Sequence, residues 1–87
     1  MRRRVVVHGR VQGVFFRDTT RRLAVEHAVA GWVRNTWEGT VEAVFEGPPE
    51  AVERLVEFTR RGPSGARVES VEVFEEDDEG LTGFVVR

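Results

Sequence analysis

Apolar residues in this chain follow two rhythms, and the elements begin and end where one gives way to the other. Val5, Val6 and Val7 run without a polar break, which predicts a central strand over residues 4–9, covered on at least one face. A helical rhythm follows. Phe16, Thr20, Leu23 and His27 recur at spacings of three and four with Ala24 beside them, predicting a helix over 17–27. No glycine stands where that helix should stop, because Ala28-Val29-Ala30 separates His27 from Gly31. A strand is expected over 30–35, around Trp32 and Val33. A second is expected over 40–46, where Val41, Ala43 and Phe45 alternate with Thr40, Glu42 and Glu46 as in a half-buried strand. Thr36-Trp37-Glu38-Gly39 reads as the turn that joins the two into a hairpin.

The next helix has the clearest punctuation. Gly47-Pro48-Pro49 ends the strand and puts a proline in the first helical turn, and Gly62-Pro63 stops the helix. Ala51, Leu55 and Phe58 form its apolar stripe, widened by Val52 and Val56. Glu50 with Arg54 and Glu57 with Arg61 are i,i+4 pairs in the favourable order, each contributing about 0.2–0.5 kcal/mol. After a loop over 63–65 comes a strand over 67–74. Val68 is out of phase with Val71 and Val73 there, predicting a bulge near Ser70. Glu75-Glu76-Asp77-Asp78-Glu79 lacks the spaced ligands and glycine of a calcium loop and reads as a solvated, mobile loop. A short last strand is expected over 81–86.

The order is β-α-β-β-α-β with a short final strand. That order predicts an α+β fold of the ferredoxin-like, split βαβ kind: an antiparallel sheet with two helices on one face. Eighty-seven residues suffice for one small domain, and no repeat or linker divides residues 1–87. A formal charge of −2 makes no general demand for nucleic acid or an anionic membrane. The absence of cysteine excludes disulfides, thiolate nucleophiles and cysteine-based zinc sites. Every basic side chain other than the two histidines is arginine. Three valines after Met1-Arg2-Arg3-Arg4 are too few for a signal-peptide core, and no apolar run approaches membrane-spanning length. A cytoplasmic protein is the expectation.

The chemistry concentrates between the first strand and the first helix, in Gly9-Arg10-Val11-Gln12-Gly13-Val14-Phe15-Phe16-Arg17. A helix N-terminus offers unpaired amides and the positive end of a dipole. Glycines let the loop fold so that successive amides converge on an anion. Arg17 adds a planar guanidinium fork suited to phosphate oxygens. Such a turn is often only a turn. It is also neither a Walker loop, lacking the Gly-Lys-Ser/Thr ending, nor a dinucleotide fingerprint, whose glycine spacing differs. His8 reads as a strand-face residue rather than a catalytic one.

This stretch with Thr20, followed by Gly31-Trp32-Val33-Arg34-Asn35-Thr36 and Gly39-Thr40-Val41, resembles the acylphosphatase family. The resemblance extends through Glu46-Gly47-Pro48 to the terminal strand. It implies hydrolysis of the carboxyl–phosphate anhydride of a small-molecule acyl phosphate by a monomer, with no metal or organic cofactor. It implies catalytic roles for Arg17 and Asn35. It also implies a phosphate cradle made by the backbone of Gln12, Gly13, Val14, Phe15, Phe16 and Arg17. In the family the chain-terminal carboxylate, here that of Arg87, orients the arginine. Family members often carry Leu-Gly-Leu where this chain has His27-Ala28-Val29, which concerns the helix end rather than the chemistry. Read from its residues alone, Asn35 could equally be a hairpin residue bonding its own backbone.

Two other readings belong to a binding module. A ferredoxin-like sheet can bind RNA through exposed aromatics on its central strands, but residues 40–45 lack the ribonucleoprotein pattern, and Glu42 and Glu46 would repel phosphates. Non-catalytic recognition of acyl phosphate or carbamoyl phosphate is the other, as in the domain that begins the hydrogenase-maturation carbamoyltransferases, which are far longer chains.

Overall fold

The computed structural model describes all of residues 1–87. Its elements are β1 (Arg2–Arg10), α1 (Phe16–Glu26), β2 (Ala30–Asn35), β3 (Val41–Glu46), α2 (Pro49–Arg61), β4 (Arg67–Glu76) and β5 (Phe84–Val86). The strands form one sheet in the order β4-β1-β3-β2-β5. Four strands are antiparallel to their neighbours, as the pattern predicts. β5 departs from that prediction by pairing parallel with β2, so the ferredoxin-like sheet is mixed. No helix is long and apolar enough to cross a membrane.

Alternation along the strands divides the sheet into two unlike faces. Val5 and Val7 lie in register with Ala43 and Val41, and Ala43 with Val33, all buried. α1 packs over β2 and β5, and α2 over β4 and β1. Phe16 and Ala24 from α1 and Val52 and Leu55 from α2 close the core above these residues. Phe16 also meets Phe58 with ring centroids 5.7 Å apart, which fixes the start of α1 against α2. Gly31 has a packing reason: a Cβ there would lie 1.8 Å from the Val44 carbonyl oxygen.

The opposite face is a ladder of charge. Arg2 lies in register between Glu46 and Glu76 and bonds both, at 3.2 and 2.9 Å. Arg4 bonds Glu76 at 3.0 Å and Glu42 at 3.2 Å, and Glu42 continues to Arg34 at 2.6 Å. Arg4 also lies 4.3 Å over the Phe74 ring, and Arg87 4.4 Å over Trp32. These partners explain why β1 begins two residues before the expected start and β4 runs two residues past the expected end. They also correct the reading of the acidic run. Glu75 and Glu76 are strand residues, Asp78 pairs with the N-terminus, and Glu79 faces Arg2 at 3.6 Å, so the run is tied down. His8 sits on this face against Glu72 at 2.7 Å, consistent with its reading as a strand-face residue.

Two local features deserve their causes. The expected bulge falls at Glu69, directly before Ser70, because His8 pairs with Ser70 and Gly9 with Val68. α1 ends without glycine by placing Ala28 in the left-handed region at φ 56°. The Val29 amide bonds the Ala24 carbonyl at 2.8 Å and the Ala28 amide bonds Val25 at 3.2 Å, the two bonds of a Schellman motif. Val29 and Ala24 are both buried in the core, so hydrophobic contact supports a conformation that costs a β-carbon residue about 1–2 kcal/mol.

Candidate active site

β1 delivers the chain to Val11, which is buried, and α1 takes it up at Phe16, also buried. Between these anchors the loop must reverse over four residues. Gly13 does so at φ 74°, and Phe15, immediately before α1, at φ 63°. A Cβ on Gly13 would meet nothing within 4 Å, so glycine is present for its backbone freedom rather than for space. The amides of residues 13–18 find no backbone acceptor in the chain, and Phe15 offers no side-chain cap. Left-handed turns of this kind point successive amides at one concavity, and the N-terminus of α1 adds its dipole.

That concavity is a cavity of about 470 Å³. Gly13, Phe15, Arg17 and Asn35 line it, with the buried Val11 and Phe16, and with Asp18 and Val86. Arg17 is exposed and takes part in none of the ion pairs or hydrogen bonds of the chain's other arginines. Asn35 ends β2, opposite Val41. Its Oδ1 is buried and has no hydrogen-bond partner. A buried acceptor left unpaired costs about 1–3 kcal/mol, so it requires an account.

The other residues of the expected cradle lie differently. Val14 packs against the core from the loop and does not line the cavity. Gln12 does not line it either, and its side chain turns to the hairpin. There Nε2 donates to the Thr36 and Thr40 carbonyls, each at 2.9 Å. The Thr36 and Thr40 hydroxyls meet at 2.6 Å, and the Thr36 amide bonds the Thr40 carbonyl at 3.0 Å. The loop carrying Arg17 is thereby fastened to the turn that follows Asn35. No ion pair joins Arg17 to the carboxylate of Arg87. Arg87 instead bonds the Val33 carbonyl through its amide at 2.9 Å and lays its guanidinium over Trp32 on the open face.

The model of the acylphosphatase family matches residues 3–86. The chain belongs to the acylphosphatase family. An acylphosphatase of Gloeobacter violaceus is 56% identical over 86 residues, covering 99% of this chain and 92% of that one. An acylphosphatase of Rubrobacter xylanophilus is 59% identical over 85 residues, covering 97% and 77%. The crystal structure of acylphosphatase from Bacillus subtilis superposes with a TM-score of 0.93 at 36% identity, covering 99% of this chain and 97% of that one. As an acylphosphatase, the protein hydrolyses acyl phosphates. Sequence reasoning missed the Gln12 brace, the place of Val86 in the lining and that of Asp18. Asp18 alone carried a signal, being adjacent to Arg17 in the first helical turn.

Proposed function

We propose that Arg17, Asn35 and the backbone amides from Gln12 to Arg17 carry the hydrolysis, and that residues 1–87 act as one catalytic domain. The observation behind this reading is one cavity lined by an unpaired guanidinium, by the loop whose amides lack backbone acceptors and by the side chain of Asn35. Donors of positive potential suit the phosphoryl oxygens, and a side-chain amide can hold a water.

In this reading the phosphoryl group lies against the amides and the Arg17 fork. A water oriented by the Asn35 side-chain amide attacks phosphorus in line with the acyl oxygen. The new P–O bond forms as the bond to the acyl oxygen breaks, the carboxylate leaves, and the water proton passes to a phosphoryl oxygen. A carboxylate is a good leaving group, so no strong general acid is needed. The remaining tasks are positioning and charge stabilisation. Arg17 and the amides meet the charge on the phosphoryl oxygens, and in this reading they take the part that a divalent cation plays in other phosphoryl-transfer sites. The substrate is a small molecule, and every group that this reading uses comes from one copy of the chain, which suits a monomer.

Arg17→Lys keeps the charge and loses the fork. Turnover of benzoyl phosphate is expected to fall by about 10³-fold, the scale of losing an arginine that stabilises phosphoryl transfer, with the fold intact and wild-type activity surviving chelation. Near wild-type kinetics in this variant would remove Arg17 as the phosphate clamp.

A further inference from the structure

The cavity has more room than a phosphoryl group needs, and the rest of its lining has a character of its own. Phe15 is 80% exposed while its backbone sits at φ 63°, so a large ring stands in water on a residue that pays for a left-handed conformation. The turn accounts for the backbone, and glycine would make it at lower cost. The turn does not account for the ring. Val86, 42% exposed, contributes a second apolar surface to the same lining. Asp18 is the one carboxylate there, and Arg17 the one cation. Asp18 has no ion pair among those of the chain.

These residues share the lining with Arg17, and with phosphate placed on Arg17 and the amides they are what remains to meet the acyl portion, so the inference rests on that placement. With Arg17 engaged, the lining has no cation for a second anionic group, and Asp18 repels one. We propose that the acyl side of the cavity selects apolar, uncharged acyl groups, aromatic ones above all. Phe15 and Val86 pack on the acyl group, and Asp18 turns away acyl groups that carry a further carboxylate or phosphate. An aspartate in the first turn also complements the helix dipole, a role that would affect stability but not selectivity.

The test compares kcat/KM for benzoyl, acetyl and succinyl phosphate. Succinyl phosphate adds a free carboxylate to the acyl chain. Comparing ratios between variants cancels differences in intrinsic reactivity. Phe15→Ala and Phe15→Gly are expected to lower the benzoyl-to-acetyl ratio by about fivefold, the scale of one aromatic contact. The glycine variant separates loss of the ring from backbone strain. Asp18→Asn is expected to raise the succinyl-to-acetyl ratio by about threefold, as suits one exposed charge, with the gain shrinking at high salt. A benzoyl-to-acetyl ratio unchanged in both Phe15 variants, or a succinyl-to-acetyl ratio unchanged in Asp18→Asn, would overturn the assignment while leaving the phosphate site standing. A wild type inactive on all three acyl phosphates would overturn that site as well.

Discussion

At the start of β1, three consecutive amides close on a carboxylate: Glu79, Gly80 and Leu81 donate to Glu46 at 2.9, 2.7 and 2.9 Å. Beyond the far end of the same strand, the amides of residues 13–18 meet no backbone acceptor. Both loops leave backbone donors without backbone acceptors, and in the proposed reading they differ in where the anion comes from. The first holds one of the chain's own, buried beside Arg2, and closes the sheet end. The second leaves its donors open beside an unpaired arginine, at the cost of a left-handed phenylalanine. In the proposed reading, the contrast separates a device used for stability from the same device reserved for a ligand.

The sharpest way to break the comparison is at Asn35, which lines the open site. If it aims the attacking water, Asn35→Ala lowers kcat and kcat/KM together by about 10²–10³, as loss of an oxyanion-hole donor does. Inhibition by phosphate should hardly change. If it only braces the hairpin, the variant loses about 0.5–1.5 kcal/mol of stability and keeps its kcat. Kinetics well below the melting temperature, with the phosphate inhibition constant, decide between the two.

The closed loop should answer in the opposite currency. Glu46→Gln is expected to lower the melting temperature, because it leaves Arg2 short of a buried partner, while kcat of the folded protein stays close to wild type. Acid should act through the same groups. The three amides, that of Glu79 first, hold the Glu46 carboxyl below its ordinary value against the opposing effect of burial. The Arg2 and Arg4 guanidiniums do the same for Glu76. Both carboxyls therefore release protons more readily folded than unfolded. The stability they supply is full above the unfolded value of about 4.3 and is lost as pH falls through their lower folded values. Thermal melts from pH 7 to pH 3 should show that loss, and Glu46→Gln should show less of it.

A smaller effect is expected at Ala28, far from both loops in role. Ala28→Gly should stabilise the protein by about 1 kcal/mol in chemical denaturation, since glycine takes the left-handed position without the Cβ clash. An unchanged or lower stability would mean that the Ala24–Val29 contact already relieves the strain.

What the sequence made legible was local. The valine run, the 3.6-residue stripe of α2 with its proline start and glycine stop, and the phase slip that became the Glu69 bulge all depend on neighbours along the chain. The motif singled out Arg17 and Asn35, which the fold brings into the lining of one cavity. What was hidden depends on partners distant in sequence. Glu76 meets Arg2 across 74 residues, and the Glu79 amide meets Glu46 across 33, so the acidic run looked mobile. The parallel pairing of β5 and the Gln12 brace to Thr36 and Thr40 have the same origin. Phe15 and Ala28 were hidden for another reason: each takes a left-handed conformation that its residue type disfavours.

Titration with inorganic phosphate, followed by the amide resonances of the labelled protein, tests the contrast between the two loops most directly. The account predicts saturable shifts at the amides of Gly13, Val14, Phe15, Phe16 and Arg17, with those of Glu79, Gly80 and Leu81 unmoved because Glu46 already fills them. Phosphate shifts at the second group, or none at the first, would contradict it.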